Sequence, residues 1–459
     1  MTEVSERRKT EYNYNMTFGL LAGLAIVMVV AGHLGYEIMT VGGLFPYYSF
    51  HVPLFLFISG YFYGENAEEH PAAYMKKKIV RLLLPYFIWN LVYGLLAWLL
   101  RTKGFTMGEE IGIRTLFLAP FLHGYQFIYN YAAWFVPVLF VIEMMNLFMR
   151  ILMKRLIQVL PHRRRSGSVG QFDEGQTAER QESDKQTVER DLVGRQTVKS
   201  DLVGRQTVER GLVGRQTVER DLLGKQTDEK HLVEGQAADG NQDDTGAVEW
   251  FYLCGSLVVG ILVVSLAIGG HVWGNYKAPG RILFLYPCFQ MGRFYKKRVE
   301  RYDTVGNLPY FAVLLTVQVI LHICCNGLAF SSVWCTGFAN GPVIPYVTIV
   351  SGIAFWLRIA RILAPLTGSC KLIRYVGQHT YTVMMHHVLV FMLIKMLLAG
   401  LAVSTGFCVD FAFEQFYTNI DYIYLVNGAE HFKMVYLAAG IMLPLGVKHI
   451  GERIRAWKS

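Results

Sequence analysis

The sequence predicts an all-α membrane protein: a polytopic bundle of about ten transmembrane helices, with both ends of the chain on the cytoplasmic side. Of its 459 residues, 53% are hydrophobic and only 17% are charged, which is too apolar for an ordinary soluble domain. Several apolar runs exceed the roughly 18 residues that mark a spanning helix. Basic residues cluster in the loops on one side of these runs, a pattern typical of cytoplasmic loops.

Ten apolar runs are predicted to be spans, and a shorter eleventh run is not. The ten runs cover residues 17–39, 47–63, 79–100, 133–156, 250–270, 282–295, 308–324, 343–362, 380–402 and 434–450. The run at 111–122 is interrupted by Arg114 and Pro120, so we do not count it. An even number of spans fits a chain whose two ends lie on the same side.

Lysine and arginine positions set the predicted orientation. With both ends inside, the dense basic clusters all fall on the cytoplasmic side, near residues 7–9, 76–81, 163–165, 296–301, 358–374 and 448–458. Because these clusters flank apolar runs, the net charge of +9 indicates contact with a lipid bilayer and not with nucleic acid. We expect a multi-pass protein of the cell membrane without a removable signal peptide, since no cleavage-site pattern follows the first apolar run.

Residues 166–246 differ from the rest of the chain because they repeat with a period of ten. Four clear copies, from QTVERDLVGR at Gln186 to QTVERDLLGK at Gln216, are flanked by weaker ones. Each clear copy has a glycine that disfavours a continuous helix, and its apolar content is too low for a solenoid core. We predict a disordered cytoplasmic loop, residues 160–248, between two parts of a transmembrane core, residues 1–159 and 249–459. A partner-binding array is the less favoured alternative.

The seven cysteines show no C-x-x-C spacing, and most lie within apolar runs. They are predicted to be small buried hydrophobes and not disulfide partners or metal ligands. No zinc spacing, P-loop, nucleophile elbow or Rossmann glycine pattern occurs in the sequence. We therefore predict no metal site.

Two histidines define the candidate site on the outer half of the first two spans. His33 is a single imidazole in an apolar helix, where a polar group is costly and is by default a candidate for function. A helix–helix hydrogen bond is the equally weighted alternative, whereas a neutral imidazole could serve as a general base toward a hydroxyl. Glu37 shares the helix face of His33, although a solvated interfacial position is favoured for it. His51, just before Pro53, is interpreted more readily as an interfacial residue than as a catalytic one.

Basic and aromatic residues near the membrane faces each allow two interpretations. Lys78 and Arg81, three residues apart at the inner mouth of the third span, could bind a phosphate-rich ligand. Snorkelling to lipid headgroups is favoured from spacing alone. Tyr129, Tyr131 and Trp134 are typical of an interface belt, and a few such aromatic residues stack on sugars instead.

Polar groups inside the spans should face the interior of the bundle. Glu143 and Gln318 each need a partner that the sequence does not name. His386 and His387 are adjacent in the ninth span and point about 100° apart, so only one of them is expected to face a cavity. His379 lies at the inner mouth of the same span.

Five stretches, in this order along the chain, resemble the motifs of the integral-membrane acyltransferases called acyltransferase family 3. They are GLAIVMVVAGHL, FHVPLFLFISGYFY, KIVRLLLPYFIW, WFVPVLF and YVGQHTYTVMMHHVLV. The first is similar to the family's first-helix motif, which ends in its proposed catalytic histidine, here His33. The last resembles a late motif whose final histidine is His387 here. The resemblance covers nearly the whole chain outside the repeats, but Gly19, Ala22 and Lys78 depart from the family's usual residues.

The resemblance implies transfer of an acyl group, most often acetyl, from cytoplasmic acyl-CoA to a hydroxyl of a carbohydrate. The family's typical acceptors are cell-surface polysaccharides, glycolipids or their lipid-linked precursors. The matching motifs imply three groups of site residues: His33 and His387 for catalysis, Lys78 and Arg81 for the CoA phosphates, and His51, Tyr86 and Trp134 for substrate binding. His33 would take the proton of the hydroxyl that attacks the thioester, and no covalent enzyme intermediate is required.

A transporter or flippase for a glycan precursor is the alternative function, because ten spans and a polar-lined interior would serve it as well. Transporters often show an internal repeat with paired broken helices. No such repeat relates the first five spans to the last five. A receptor or scaffold that binds partners through the ten-residue repeats is a third hypothesis, and the low apolar content of the repeats disfavours it.

Overall fold

Each predicted span coincides with a helix in the computed structural model. The helices are α1 (Thr2–Gly32), α2 (His51–Tyr61), α3 (Pro71–Arg101), α4 (Phe135–Val159), α5 (Gln242–Ile268), α6 (Ala278–Phe294), α7 (Asn307–Cys324), α8 (Ile344–Thr367), α9 (Thr380–Thr405) and α10 (Lys433–Lys458). Within the described part of the chain, β-structure is limited to two isolated bridges. The predicted all-α bundle is confirmed.

The structure describes residues 2–35, 40–64, 66–123, 127–159, 242–271, 278–367, 370–408 and 410–458. Nearly all of them belong to one compact unit made of residues 1–155 and 241–459. A second unit, residues 156–240, contributes only the last turn of α4 to the described residues. The repeats, Glu37 and the basic cluster at 163–165 lie outside the described residues.

Helix length and burial separate the interior of the bundle from its periphery. Among the residues that the structure describes, seven helices are long and apolar enough to cross a membrane: α3, α4, α5, α7, α8, α9 and α10. The other three predicted spans are shorter, because the apolar part of α1 is Met16–Gly32 and α2 and α6 have 11 and 17 residues. Most residues of α2 and α6 are buried, whereas only 11% of the apolar window of α7 is buried. The short helices therefore lie inside, and α7 faces lipid.

Glycines let the interior helices approach closely. α1 packs against α2, α8, α9, α10 and the short helix Lys371–Gln378. At the last of these contacts, a Cβ atom on Gly377 would lie 2.1 Å from the carbonyl oxygen of Gly19. Small residues at such crossings allow backbones to pack directly in membrane proteins. This contact holds the inner half of α1, whose outer end carries His33.

Charged residues that flank the repeats are paired with each other near the predicted inner face. Arg150 of α4 binds both carboxylate oxygens of Glu249 of α5, at 3.0 and 2.8 Å, and Arg293 of α6 binds Glu249 at 3.0 Å. Lys154 pairs with Glu68 at 2.6 Å. We call these five residues the inner charge cluster. It joins the part of the core before the repeats to the part after them.

The two polar residues predicted inside spans, Gln318 and Glu143, both have partners on other segments. Gln318 accepts a hydrogen bond from the backbone N–H of Phe45 at 3.1 Å and donates one to Ser351 Oγ at 2.7 Å. Glu143 pairs with Lys78, whose Nζ lies 2.6 Å from Glu143 Oε1. Both residues face the interior of the bundle, as buried polar groups in membrane proteins require.

Candidate active site

A cavity lies where the end of α1, the start of α2, the short helix Ile128–Trp134 and the loop at 326–343 meet. It has about 570 Å³ of empty space, part of it open to solvent. The cavity is at the end of the bundle that the basic clusters predict to be outside. Four of its lining residues have polar tips: His33, Tyr48, His51 and Ser332. Most of the remaining lining is apolar, with Trp134 included, so the few polar groups would orient a ligand.

His33 follows α1 directly and is not embedded in it. The helix ends at Gly32, and residues 33–35 form a turn in which Gly35 adopts a left-handed φ of +59°. The predicted first helical span, residues 17–39, is therefore wrong at residues 33–35, and its last residues, 36–39, lie outside the described part of the chain. Glycine permits this left-handed turn at little cost. As a result, the imidazole that follows lines the cavity.

Two hydrogen bonds connect His33 to a carboxylate. Its Nδ1 lies 2.5 Å from the hydroxyl oxygen of Tyr131, and that hydroxyl donates to Asp421 Oδ1 at 3.1 Å. A carboxylate accepts and does not donate, so the single O–H of Tyr131 is used on Asp421. With that donation, the Tyr131 oxygen accepts from His33, which then carries its hydrogen on Nδ1. This arrangement leaves the lone pair of the imidazole on Nε2, as a general base requires.

His51 is a second imidazole with an accepting nitrogen at the cavity. Its Nδ1 lies 2.9 Å from the carbonyl oxygen of Tyr47, which can only accept, so Nδ1 is the protonated nitrogen and Nε2 carries the lone pair. The side chain is buried and lines the cavity. This burial does not fit the favoured sequence interpretation of His51 as an interfacial residue close to where the helix meets water. The chain before α2 covers it, which residue spacing does not indicate.

The adjacent histidines of α9 face different surroundings. His387 is fully buried and stacks on His33, with ring centroids 5.1 Å apart and an interplanar angle of 29°. It donates from Nδ1 to the carbonyl oxygen of Val383 at 2.9 Å and is not one of the cavity-lining residues. His386 instead hydrogen-bonds the hydroxyl of Tyr93 on α3 at 2.8 Å. Of the two, only His387 contacts the site, and it does so through His33.

The two predicted CoA-binding residues have different environments. Lys78 is half-buried and ion-paired with the buried Glu143, so its ammonium already has a carboxylate partner. Arg81 is exposed, and the exposed Lys77 lies within electrostatic range of it. An exposed pair of cations at the inner mouth suits a phosphate-rich ligand better than the buried ion pair does.

The two aromatic residues predicted to bind substrate, Trp134 and Tyr86, lie in different surroundings. Trp134 lines the cavity and has the guanidinium of Arg281 5.0 Å from the ring centroid. Tyr86 is 2% exposed and belongs to an apolar cluster that includes Phe127 and Met385, away from the cavity lining. Tyr129 is buried as well, so it is not part of an interface belt. The structure thus brings together His33, His51 and Trp134, with His387 behind them.

Four residues complete this picture although their residue types and spacing did not single them out for the site. The position of Tyr131 is typical of an interface aromatic and Asp421 belongs to no motif, yet the two connect His33 to a carboxylate. Ser332 lies in a loop without any recognisable motif. Lys395 is fully buried in α9 and donates to the carbonyl oxygen of Ile420 at 2.8 Å. A lone lysine within an apolar span was the one available signal, because such residues are by default candidates for function.

A helical membrane bundle with an oriented imidazole at a cavity is the architecture expected of an enzyme that removes a proton within the membrane. The family model described as an acyltransferase domain matches residues 19–160, which include His33, His51, Lys78, Arg81 and Trp134. Residues 19–160 therefore belong to acyltransferase family 3, and the chain is a membrane acyltransferase, as the motifs predict. No curated protein and no solved structure matches the chain.

Proposed function

We propose that this protein is an O-acyltransferase of the cell membrane that moves an acyl group, most simply acetyl, from cytoplasmic acyl-CoA to a carbohydrate hydroxyl. The acceptor is a cell-surface carbohydrate or its lipid-linked precursor. The observation that carries the proposal is that His33 lines a cavity while its Nδ1 is hydrogen-bonded to Tyr131, which supports Nε2 as the acceptor of a proton. The exposed cations at the opposite, inner mouth support a phosphate-bearing donor.

The proposed reaction is a direct transfer with balanced proton movement. His33 Nε2 takes the proton of the sugar hydroxyl as its oxygen attacks the thioester carbonyl. The C–S bond then breaks, and the CoA thiolate leaves with the proton returned from His33. An ester and a free thiol result, with no acyl-enzyme. The acceptor nitrogen of His51, which also lines the cavity, is the second group able to hydrogen-bond the hydroxyl.

The position of the cavity supports an acceptor on the outer side. About 25 Å of helix separate Met16, where the apolar part of α1 begins, from His33. Lys77 and Arg81 would meet the phosphates at the inner mouth, and the thioester end of the donor would extend toward the cavity. The apolar lining and Trp134 offer a surface on which the apolar faces of a sugar or an acyl group can pack.

The test is a mass analysis of surface glycans from cells that express the wild type, an empty vector, His33→Ala or His322→Ala at matched membrane levels. His322 is an exposed histidine on the peripheral helix α7 and is the control for loss of an imidazole. We expect an acyl mass increment with the wild type and His322→Ala only. An increment that persists in His33→Ala would move the base to another residue, His51 first. Glycan gained or lost equally with the wild type and both variants, relative to the empty vector and without acylation, would favour a transporter.

A further inference from the structure

We propose that Tyr131 and Asp421 are positioning residues, which together hold His33 in the tautomer that leaves Nε2 free to accept a proton. This inference rests on the proposed function, in which His33 is the general base. Neither residue needs to touch a substrate for the effect, because both act through the imidazole. In the familiar arrangement a carboxylate accepts a hydrogen bond directly from the catalytic histidine. Here the phenol of Tyr131 lies between the histidine and the carboxylate.

The proposed assignment uses each hydrogen of the hydrogen-bonded chain once. Asp421 is exposed to water, and its carboxylate can only accept. The phenol has one hydrogen, which it donates to Asp421 at 3.1 Å, and its oxygen then accepts from His33 at 2.5 Å. A phenol that donated to His33 could not also donate to Asp421, so the two directions exclude each other. The direction of the bond to Asp421 therefore sets the tautomer of His33.

The loop that carries Asp421 is held in place from several sides. The buried Lys395 of α9 donates to the carbonyl oxygen of Ile420, at 2.8 Å. The backbone N–H of Asp421 itself donates to Asn419 Oδ1 at 2.9 Å. Further along, the buried Tyr436 of α10 donates to the carbonyl oxygen of Tyr424 at 3.2 Å. These bonds restrict the carboxylate to the neighbourhood of Tyr131, and Lys395 compensates part of its charge.

Other titratable groups lie beside the hydrogen-bonded chain from His33 to Asp421, so the test must separate their effects from those of the chain. His387 stacks on His33 from α9, His51 lines the same cavity from α2, and Tyr48 interacts electrostatically with Asp421. A pH profile alone would mix their titrations. A double-mutant cycle isolates the contribution of Tyr131 and Asp421. When two residues act as one unit, the effects of their substitutions on the rate do not add.

The experiment measures initial rates of transfer from labelled acetyl-CoA to the glycan fraction that carries the mass increment in wild-type cells. The variants are Tyr131→Phe, Asp421→Ala and the double variant, in full-length protein in native membranes. We expect kcat to fall about tenfold to a hundredfold in each, with KM for both substrates nearly unchanged. The double variant should be no slower than Tyr131→Phe. Matched controls are Tyr129→Phe, from the same short helix, and Asp410→Ala, from the same loop, and both should keep the wild-type rate.

A second readout is independent of activity. Nitrogen NMR of histidine-labelled protein in bilayers, with His33→Ala subtracted, reports which ring nitrogen of His33 is protonated. We expect Nδ1–H in the wild type and a mixture of tautomers in Tyr131→Phe. An unchanged kcat in Tyr131→Phe alongside an inactive His33→Ala would overturn the positioning role alone, whereas an Nε2–H tautomer in the wild type would overturn both the positioning role and Nε2 as the base. A fully active His33→Ala would instead overturn the proposed base, and with it this inference.

Discussion

Two buried serines differ in whether the hydroxyl group has a hydrogen-bond partner within the protein. Ser332 and Ser351 are each 3% exposed. Ser351 accepts a hydrogen bond from Gln318, whereas the hydroxyl of Ser332 has no hydrogen-bond partner among the residues that the structure describes. Leaving a buried hydroxyl unpaired costs about 1–3 kcal/mol. Because Ser332 lines the cavity, a bound substrate would relieve that cost.

We expect Ser332→Ala to leave thermal stability unchanged or higher and to raise KM for one substrate about twofold to tenfold, the value of one neutral hydrogen bond. Ser351→Ala is the matched control, since it orphans the amide of Gln318 and should lower Tm without a selective effect on KM. Melting curves in detergent and initial rates check both. An unchanged KM for donor and acceptor in Ser332→Ala would show that this hydroxyl does not contact either substrate.

Lys78 and Arg81 should respond differently to removal, although they are three residues apart. Arg81→Ala should raise KM for acyl-CoA several-fold, more at low salt than at high salt, because an exposed cation attracts phosphate through screened charge. Lys78→Ala should cost about 3 kcal/mol of stability instead, since it leaves the buried carboxylate of Glu143 without its cation. Salt-dependent kinetics and melting curves separate the two effects, and a normal Tm for Lys78→Ala would contradict the structural role.

At the same scale, the sequence could predict the imidazole but not its support. His33 is recognisable because it is a lone polar group in an apolar run. Tyr131 is 98 residues from His33, and Asp421 is a further 290 residues from Tyr131, so no local period relates them. Hydrogen bonds between distant segments depend on how the helices pack, which residue spacing does not contain.

At the scale of helices, hydropathy located every span, yet it did not indicate which spans are short. α2 has 11 residues within a predicted run of 17, because the turn at 47–49 precedes it. Buried residues such as Tyr47 and Phe50, 3% and 1% exposed, extend the run although they are not in the helix. Hydropathy indicates that a residue is buried or faces lipid and does not indicate its backbone conformation. It therefore cannot separate a buried loop residue from a helical one.

The crossing of α2 and α6 depends on one glycine from each helix. A Cβ atom on Gly60 would lie 1.8 Å from the carbonyl oxygen of Phe289, and one on Gly292 would lie 1.9 Å from that of Phe57. We expect Gly60→Ala and Gly292→Ala each to cost about 3 kcal/mol or more, because both backbones must move apart. Gly400→Ala in α9, where a Cβ atom meets nothing within 4 Å, is the control and should be neutral or stabilising. Folded yield and Tm measure the difference, and equal behaviour of the three variants would contradict the close packing.

At the scale of the whole molecule, the inner charge cluster links the part of the core that precedes the repeats to the part that follows them. Arg150, Glu249 and Arg293 are each buried and mutually paired. Three cations and two carboxylates therefore join α4, α5, α6 and the short helix Asn66–Glu69. These contacts do not involve the repeats, so the core does not depend on them to bring α4 and α5 together.

Deletion of residues 170–240 should therefore leave acyl transfer within about twofold of the wild type at matched membrane levels. Glu249→Gln is the contrasting variant, because it leaves Arg150 and Arg293 buried without their carboxylate and should reduce folded protein strongly. Quantified membrane insertion and transfer rates check both. A deletion variant that inserts normally and yet loses all transfer would show that the repeats take part in the reaction.

The shortness of α2 has a consequence for the barrier that an acyl group has to pass. Eleven residues of helix rise about 16 Å, whereas the hydrocarbon core of a bilayer is about 30 Å thick. The inner end of α2 is anchored by Tyr61, which donates to Glu300 at 3.0 Å, and its outer end begins at His51 beside the cavity. α2 therefore covers about half the thickness of the hydrocarbon layer, and the cavity begins where the helix ends. Under the proposed function, this shortens the distance within the membrane that separates a donor at the inner face from an acceptor at the outer face.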